Sequence, residues 1–290
     1  MPTSTDKLPD VKNLIVGSFF SSKPDPQRPG TRHASHEVDD YTYLWRSTAN
    51  LLGLPVILIT DSDTEHVSHL ESEFFAVRRH TPLNWSTNDE RIVAFAAFLR
   101  NHDCANVFFT DTGDVVFKKN PFALISEEHP LFVGTDEPSL TKIRHSPFLV
   151  HKLFLLNQQL KPEDRFIPSR YFPKILGNPK VVSSNGLYWR VIRRLSRLVR
   201  RLLPSHPSCI WEAGVANAGV IGGKREVVKA LVDEMARIIE SSERGLDLNL
   251  NMAVLNYVIW KRKLSPFKGF PLTNEFKCYS TVGGEAIIHK

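Results

Sequence analysis

The sequence predicts an α/β fold built on a largely parallel sheet, and three observations lead to it. Short apolar runs alternate with helix-spaced segments through the first half, as in successive βαβ units. Two of these runs end in aspartate, at Asp61 and Asp111, and the carboxyl ends of strands are where such sheets bind ligands. Late in the chain the amphipathic KREVVKALVDEMARIIESSER and the more apolar LNLNMAVLNYVIW supply helices to cover the sheet.

Taken in order, residues 1–11 are polar and read as a flexible tail, and KNLIVGSFF (12–20) reads as a buried strand. The Pro-rich stretch SSKPDPQRPGTRHASHEVDD then reads as a mobile surface loop. YTYLWRSTANLLG has helical spacing and stops at Gly53, LPVILITD is a second buried strand, and STNDERIVAFAAFLRNHD is a helix with polar ends. NVFFTD, the short DVVF and HPLFVGTDE add strands. From about residue 140 to 210 prolines and aromatics break the pattern, which predicts helices and loops over one side of the sheet. One domain over 12–290 is the simplest organisation, since no internal repeat or long low-complexity linker divides it.

The 290 residues, 42% of them hydrophobic, suffice for a sizeable core. No run approaches the 18 apolar residues of a membrane span, and the N-terminus lacks the apolar stretch of a signal peptide. Three widely spaced cysteines, Cys104, Cys209 and Cys278, suit reduced thiols, so a cytoplasmic location is expected. The net charge of +6 leans toward anionic partners.

The segment VFFTDTGDVVFKKNPF (107–122) carries the chemistry. Asp111 and Asp114 lie between the apolar NVFF and VVF, which places their carboxylates near the core boundary, and Gly113 between them permits a tight turn. Oxygen ligands favour hard cations, Mg²⁺ or Mn²⁺, bound through one or two carboxylates and substrate phosphates. A capped turn between two short strands would use the same residues. Asp61-Ser62-Asp63 competes for this role, but its Ser- and Thr-rich continuation reads as a turn or helix cap, at most an edge contacting a base.

Four segments in order, NDERIVAFAAFLRNHDCANVFFTDTGDVVFKKNPF (88–122), NAGVIGG (217–223), DLNLNMAVLN (247–256) and AIIHK (286–290), resemble the motifs of nucleotide-sugar-dependent glycosyltransferases of the GT-A fold. The resemblance implies a Rossmann-like, mixed but mainly parallel sheet flanked by helices, with a nucleotide-binding half at 12–137 and a donor-sugar and acceptor half at 138–290. It implies a metal site made by Asp111, Asp114 and His289, although the usual Asp-X-Asp is here Asp-Thr-Gly-Asp. It further implies that Arg91 approaches the nucleotide or its phosphates and that Lys290 neutralises the departing diphosphate. Asn217 and Gly219 would line the donor-sugar pocket, and Asp247 would be a donor-sugar or catalytic carboxylate. Read from the residues alone, Arg91 is equally a surface arginine paired with Asp89 or Glu90, Asp247 a helix cap, and Asn217 and Gly219 parts of a tight turn. Glu212, just before the Gly-rich segment, is a further candidate for a general base or an acceptor contact.

The expected activity is therefore metal-dependent transfer of a sugar, from a UDP-sugar first, to a glycan, lipid-linked or other hydroxyl acceptor. The alternatives are a nucleotide- or sugar-binding module without catalysis and a metal-dependent phosphohydrolase. The segment RVIRRLSRLVRRLL (190–203) segregates its arginines from its aliphatic residues at helical spacing. Such a helix either packs on the domain or contacts an anionic membrane peripherally. No aromatic interleaving or nucleic-acid motif accompanies the charge, so a nucleic-acid partner is not expected.

Overall fold

The computed structural model describes residues 12–24, 33–135, 142–166, 210–242, 249–273 and 284–289. The tail at 1–11, the basic segment 190–203, Cys209, Cys278, Asp247 and Lys290 lie outside the described residues.

The first half is the expected βαβ series, with one strand, Phe75–Arg79, and one short helix, Thr64–Val67, that the sequence pattern does not predict. Strand β1 (Asn13–Phe19), helix α1 (Val38–Leu51), β2 (Val56–Thr60), the short α2 (Thr64–Val67), β3 (Phe75–Arg79), α3 (Thr87–Asn101) and β4 (Asn106–Thr110) follow one another. Strands β3, β2, β1 and β4 lie side by side in that order, all parallel. Next come β5 (Val115–Phe117), β6 (Leu131–Thr135), α4 (Pro147–Gln159), β7 (Ala216–Lys224), α5 (Arg225–Ser241), α6 (Asn251–Lys261), β8 (Phe267–Lys268) and β9 (Ile287–His289). The main sheet has seven strands in the order β3-β2-β1-β4-β7-β6-β8. β7 runs antiparallel to both its neighbours, and β5 pairs with β9 in a separate two-stranded sheet. The fold is thus α/β, with a mostly parallel mixed sheet flanked by helices.

Both faces of this sheet are covered, which explains the near-continuous apolar strands. Alternate strand residues enter two cores: Leu14, Val16, Ile57, Ile59, Val107 and Phe109 meet α3, α4, α5 and α6, while Ile15, Val56, Leu58 and Phe108 meet Trp45 of α1 and Phe75 of β3. Helix α3 is capped by Ser86, whose hydroxyl accepts from Asp89 N–H. Helix α1 ends as expected at Gly53, with φ 62°. It begins earlier than its pattern suggests, at Val38, because Asp39 and Asp40 suit the positive end of a helix and so join the first turn.

Two readings are corrected. The Gly-rich ANAGVIGGK is not the tight turn that its residues alone would allow but a nine-residue central strand. Its glycines make room: a Cβ on Gly222 would meet the Phe108 ring at 1.9 Å, and one on Gly223 would meet the Pro130 carbonyl at 2.1 Å. Lys23, in the stretch read as surface loop, is 6% exposed. Its ammonium donates to the carbonyls of Leu83 and Trp85 and pairs with Glu90 at 3.0 Å. No helix among the described residues is long and apolar enough to cross a membrane.

Candidate functional site

The chain leaves β4 through Asp111-Thr112-Gly113-Asp114, and the start of this turn is held in place. Trp45 Nε1 donates to Thr110 Oγ1 at 2.8 Å, Asp111 N–H to Gly219 O at 2.8 Å, and Thr112 Oγ1 to Ser18 O at 3.0 Å. The Tyr41 ring lies on Gly113, where a Cβ would meet its Cζ at 2.4 Å, so a larger residue would have to displace the ring. The turn then enters β5, whose Val115 is in register with His289 of β9. That pairing carries the imidazole to the carboxylates from the far end of the chain.

Asp111, Asp114 and His289 converge: one ligand atom from each lies within 4.8 Å of the others. His289 Nε2 is 3.3 Å from Asp111 Oδ2 and 3.7 Å from Asp114 Oδ2. The imidazole is buried and the two carboxylates are partly exposed, so the group faces outward from a dry floor. Two observations test whether a divalent ion fits. The donor set of two carboxylates and one imidazole suits Mn²⁺, with Mg²⁺ next since imidazole is the softer ligand. Gly219 opposite forms a cradle that a side chain would fill, for a Cβ there would lie 2.1 Å from His289 Cε1 and 2.6 Å from Asp111 Oδ2.

Arg91 is not a surface residue. It is 8% exposed, its guanidinium pairs with Asp111 Oδ1, and NH2 donates to Ala218 O at 3.0 Å. Burial pushes its pKa down to about 10, against the opposing pull of Asp114, Tyr41 and Asp89, so it stays charged at neutral pH. Arg91 therefore fixes one oxygen of Asp111 and leaves Oδ2 to face His289.

A cavity of about 200 Å³ opens beside this group, walled by Ser18 and Phe19 of β1, Tyr41 of α1, Asn88 and Arg91 of α3, and the Asp111–Asp114 turn. It sits at the carboxyl ends of β1 and β4, the expected place. Its aromatic wall packs Tyr41 against His33 and Phe19, with ring centroids 4.6 and 5.3 Å apart. Behind the floor, buried Glu90 accepts from His80 and from Leu83 N–H and pairs with Lys23. Burial would raise its pKa, but these bonds overcome that effect and hold it below the usual value. Asp89 accepts from the N–H groups of Leu250 and Asn251, tying α3 to the start of α6, and burial raises its pKa.

The remaining expectations divide. Gly219 belongs to the site, and Asn217 stands beside it with its Oδ1 accepting the Gly219 N–H at 2.7 Å, so that oxygen serves the strand. Glu212 is a poor general base: Lys142 and Arg144 pair with it at 2.8 and 2.7 Å and, led by the Lys142 bond, hold its pKa low, where a base needs it raised. It is absent from the cavity wall. The Asp61-Ser62-Asp63 pair is split, because Asp61 accepts from Ser21 and Ser22 N–H and braces the β1 exit. Asp63 instead joins Glu65 and His66 in an exposed cluster. Tyr41, Lys23 and Asn88 escaped sequence reasoning; only the glycine of Asp-Thr-Gly-Asp hinted at Tyr41, since a glycine there implies a close neighbour. Comparison with known family models and with curated proteins found no match to the chain.

Proposed function

We propose that this protein is a GT-A-type glycosyltransferase that moves a sugar from a nucleoside diphosphate, a UDP-sugar first, to an acceptor hydroxyl. The observation that carries the reading is the convergence of Asp111, Asp114 and His289 at the carboxyl end of β4, beside a cavity and under a buried arginine. A strand order in which only β7 is antiparallel within a parallel sheet agrees with that fold.

The three side chains would hold Mn²⁺ or Mg²⁺, which when bound supplies Lewis-acid stabilisation of a leaving diphosphate. Arg91 pairs with Asp111 and orients it, and its own charge favours anions in the cavity. The 200 Å³ enclosed is below the roughly 300–1,000 Å³ usual for small-molecule sites, so it would take a fragment of the donor while the remainder extends over the rim. The buried floor and the aromatic wall of Phe19, His33 and Tyr41 limit water at the reacting bond.

The test is a panel of nucleotide sugars assayed for hydrolysis and transfer, with and without EDTA, on the parent and on Asp111→Asn and His289→Ala. Turnover of one donor, abolished by chelation and by either substitution, is the expected result. Turnover indifferent to all three would overturn the mechanism, and calorimetric binding of a donor that is never turned over would point to a binding module instead.

A further inference from the structure

A second cavity, of about 770 Å³, lies at the β8 edge of the sheet, between the end of α6 and β8. Its size is that of a small-molecule site. The wall is apolar along Ile259, Trp260, Leu264 and Pro266, and the polar groups at its rim include three lysines, Lys261, Lys263 and Lys268. Among the described residues no aspartate or glutamate lines it.

The three lysines are not equivalent. Lys261 is committed to the protein, paired with Asp164 at 2.7 Å and lying over the Tyr257 ring. Lys263 and Lys268 have no carboxylate partner among the described residues. Lys263 is exposed and holds a left-handed backbone, φ 52°, where glycine would be less strained. Lys268 is half-buried, and its Nζ donates to Gly214 O at 3.0 Å, which fixes the ammonium at the cavity. Burial alone lowers its pKa, as happens to an ammonium without a neighbouring anion. An unpaired, partly desolvated cation over an apolar wall costs free energy that an anionic ligand with an apolar body would offset.

We propose that this cavity is a binding site for an amphipathic anion: an alkyl or aryl group seated on Trp260 and Leu264, with a phosphate-type head on Lys263 and Lys268. The head group belongs either to a soluble metabolite or to a membrane lipid, and both present the same chemistry. The site needs neither metal nor donor, so its failure leaves the glycosyltransferase reading untouched.

The test is isothermal titration calorimetry with octyl phosphate, with octanol and inorganic phosphate as the two half-ligands. Saturable binding of octyl phosphate is expected, with each half-ligand at least about tenfold weaker, and Lys268→Met should lose about tenfold or more while Lys268→Arg retains most of the affinity. Lys263→Met, at an exposed position, carries the same expectation should Lys268→Met fail to fold. Lys268-dependent sedimentation with phosphatidylglycerol vesicles would assign the head to a lipid, and octyl phosphate binding without sedimentation to a soluble ligand. No saturable heat, or an affinity unchanged in a folded Lys263→Met/Lys268→Met protein, would overturn the proposal.

Discussion

Gly219→Ala is the sharpest probe of the candidate centre. The added methyl would sit 2.1 Å from His289 Cε1 and 2.6 Å from both Asp111 Oδ2 and His289 Nε2, against an ordinary contact of 3.4–4 Å. If the imidazole alone gives way, it must move by roughly 1.3 Å, the shortfall from 3.4 Å. It has little room, being 2% exposed and on a strand in register with β5. Overpacking of this kind costs about 1–3 kcal/mol, which lowers Tm by about 2–10 °C in a domain of this size. A ligand displaced by an ångström should also lose about 10–100-fold in Mn²⁺ affinity. The assay is thermal unfolding with and without Mn²⁺, together with calorimetric titration of the metal. Gly53→Ala is the control: nothing lies within 4 Å of its Cβ, but its φ of 62° costs about 1–2 kcal/mol through the backbone, so it should lower Tm and leave Mn²⁺ affinity unchanged. A Gly219→Ala protein that binds Mn²⁺ like the parent, with an unchanged Tm, would refute the reasoning.

Glu90→Gln should destabilise the fold by about 3–5 kcal/mol in urea, because it strands the buried Lys23 ammonium. The same carboxyl has a depressed pKa, so its contribution is complete above the ordinary value of 4.5 and is lost as pH falls through the folded-state value. Acid titration of stability should therefore be shallower in the variant at the acid end. Asn256→Ala should cost about 2–4 kcal/mol by chemical denaturation, since the Asn256 amide both accepts from Ala216 N–H and donates to Ala216 O at 2.9 Å, pinning α6 to β7. Glu212→Gln should leave turnover near the parent value; a loss in the roughly 10²–10⁴-fold range of a general base would restore the catalytic role that its ion pairs argue against.

The strands β1, β2 and β4 were legible because a sheet buried on both faces demands uninterrupted apolar runs, and LIV, VILI and VFF meet that demand. β3 was not, because FAVRR alternates for only five residues and ends in arginines that suit an edge strand. β7 was not legible as a strand because glycine equally signals turns, whereas here Gly222 and Gly223 yield space to Phe108 and to the Pro130 carbonyl, which no local pattern reveals. That Asp111, Asp114 and His289 belong together was expected from motif order, but their convergence depends on the pairing of Val115 with His289 across most of the chain. Arg91 sits in an apolar helix beside two acids, and local sequence alone offered those acids as partners; its true partner, Asp111, is set by how α3 packs against the sheet. Tyr41 and Lys23 enter the cavity wall only through tertiary packing.

β5 and β9 are three residues each, and their pairing brings the His289 imidazole to the two carboxylates. Val115 and His289 are far apart in sequence, so this pairing closes a long loop and is a less local contact than the βαβ pairings of the main sheet. Loosening so short a pairing would leave the main sheet intact while drawing the imidazole away from its neighbours, so damage to β9 would register at this corner before it registered in the fold.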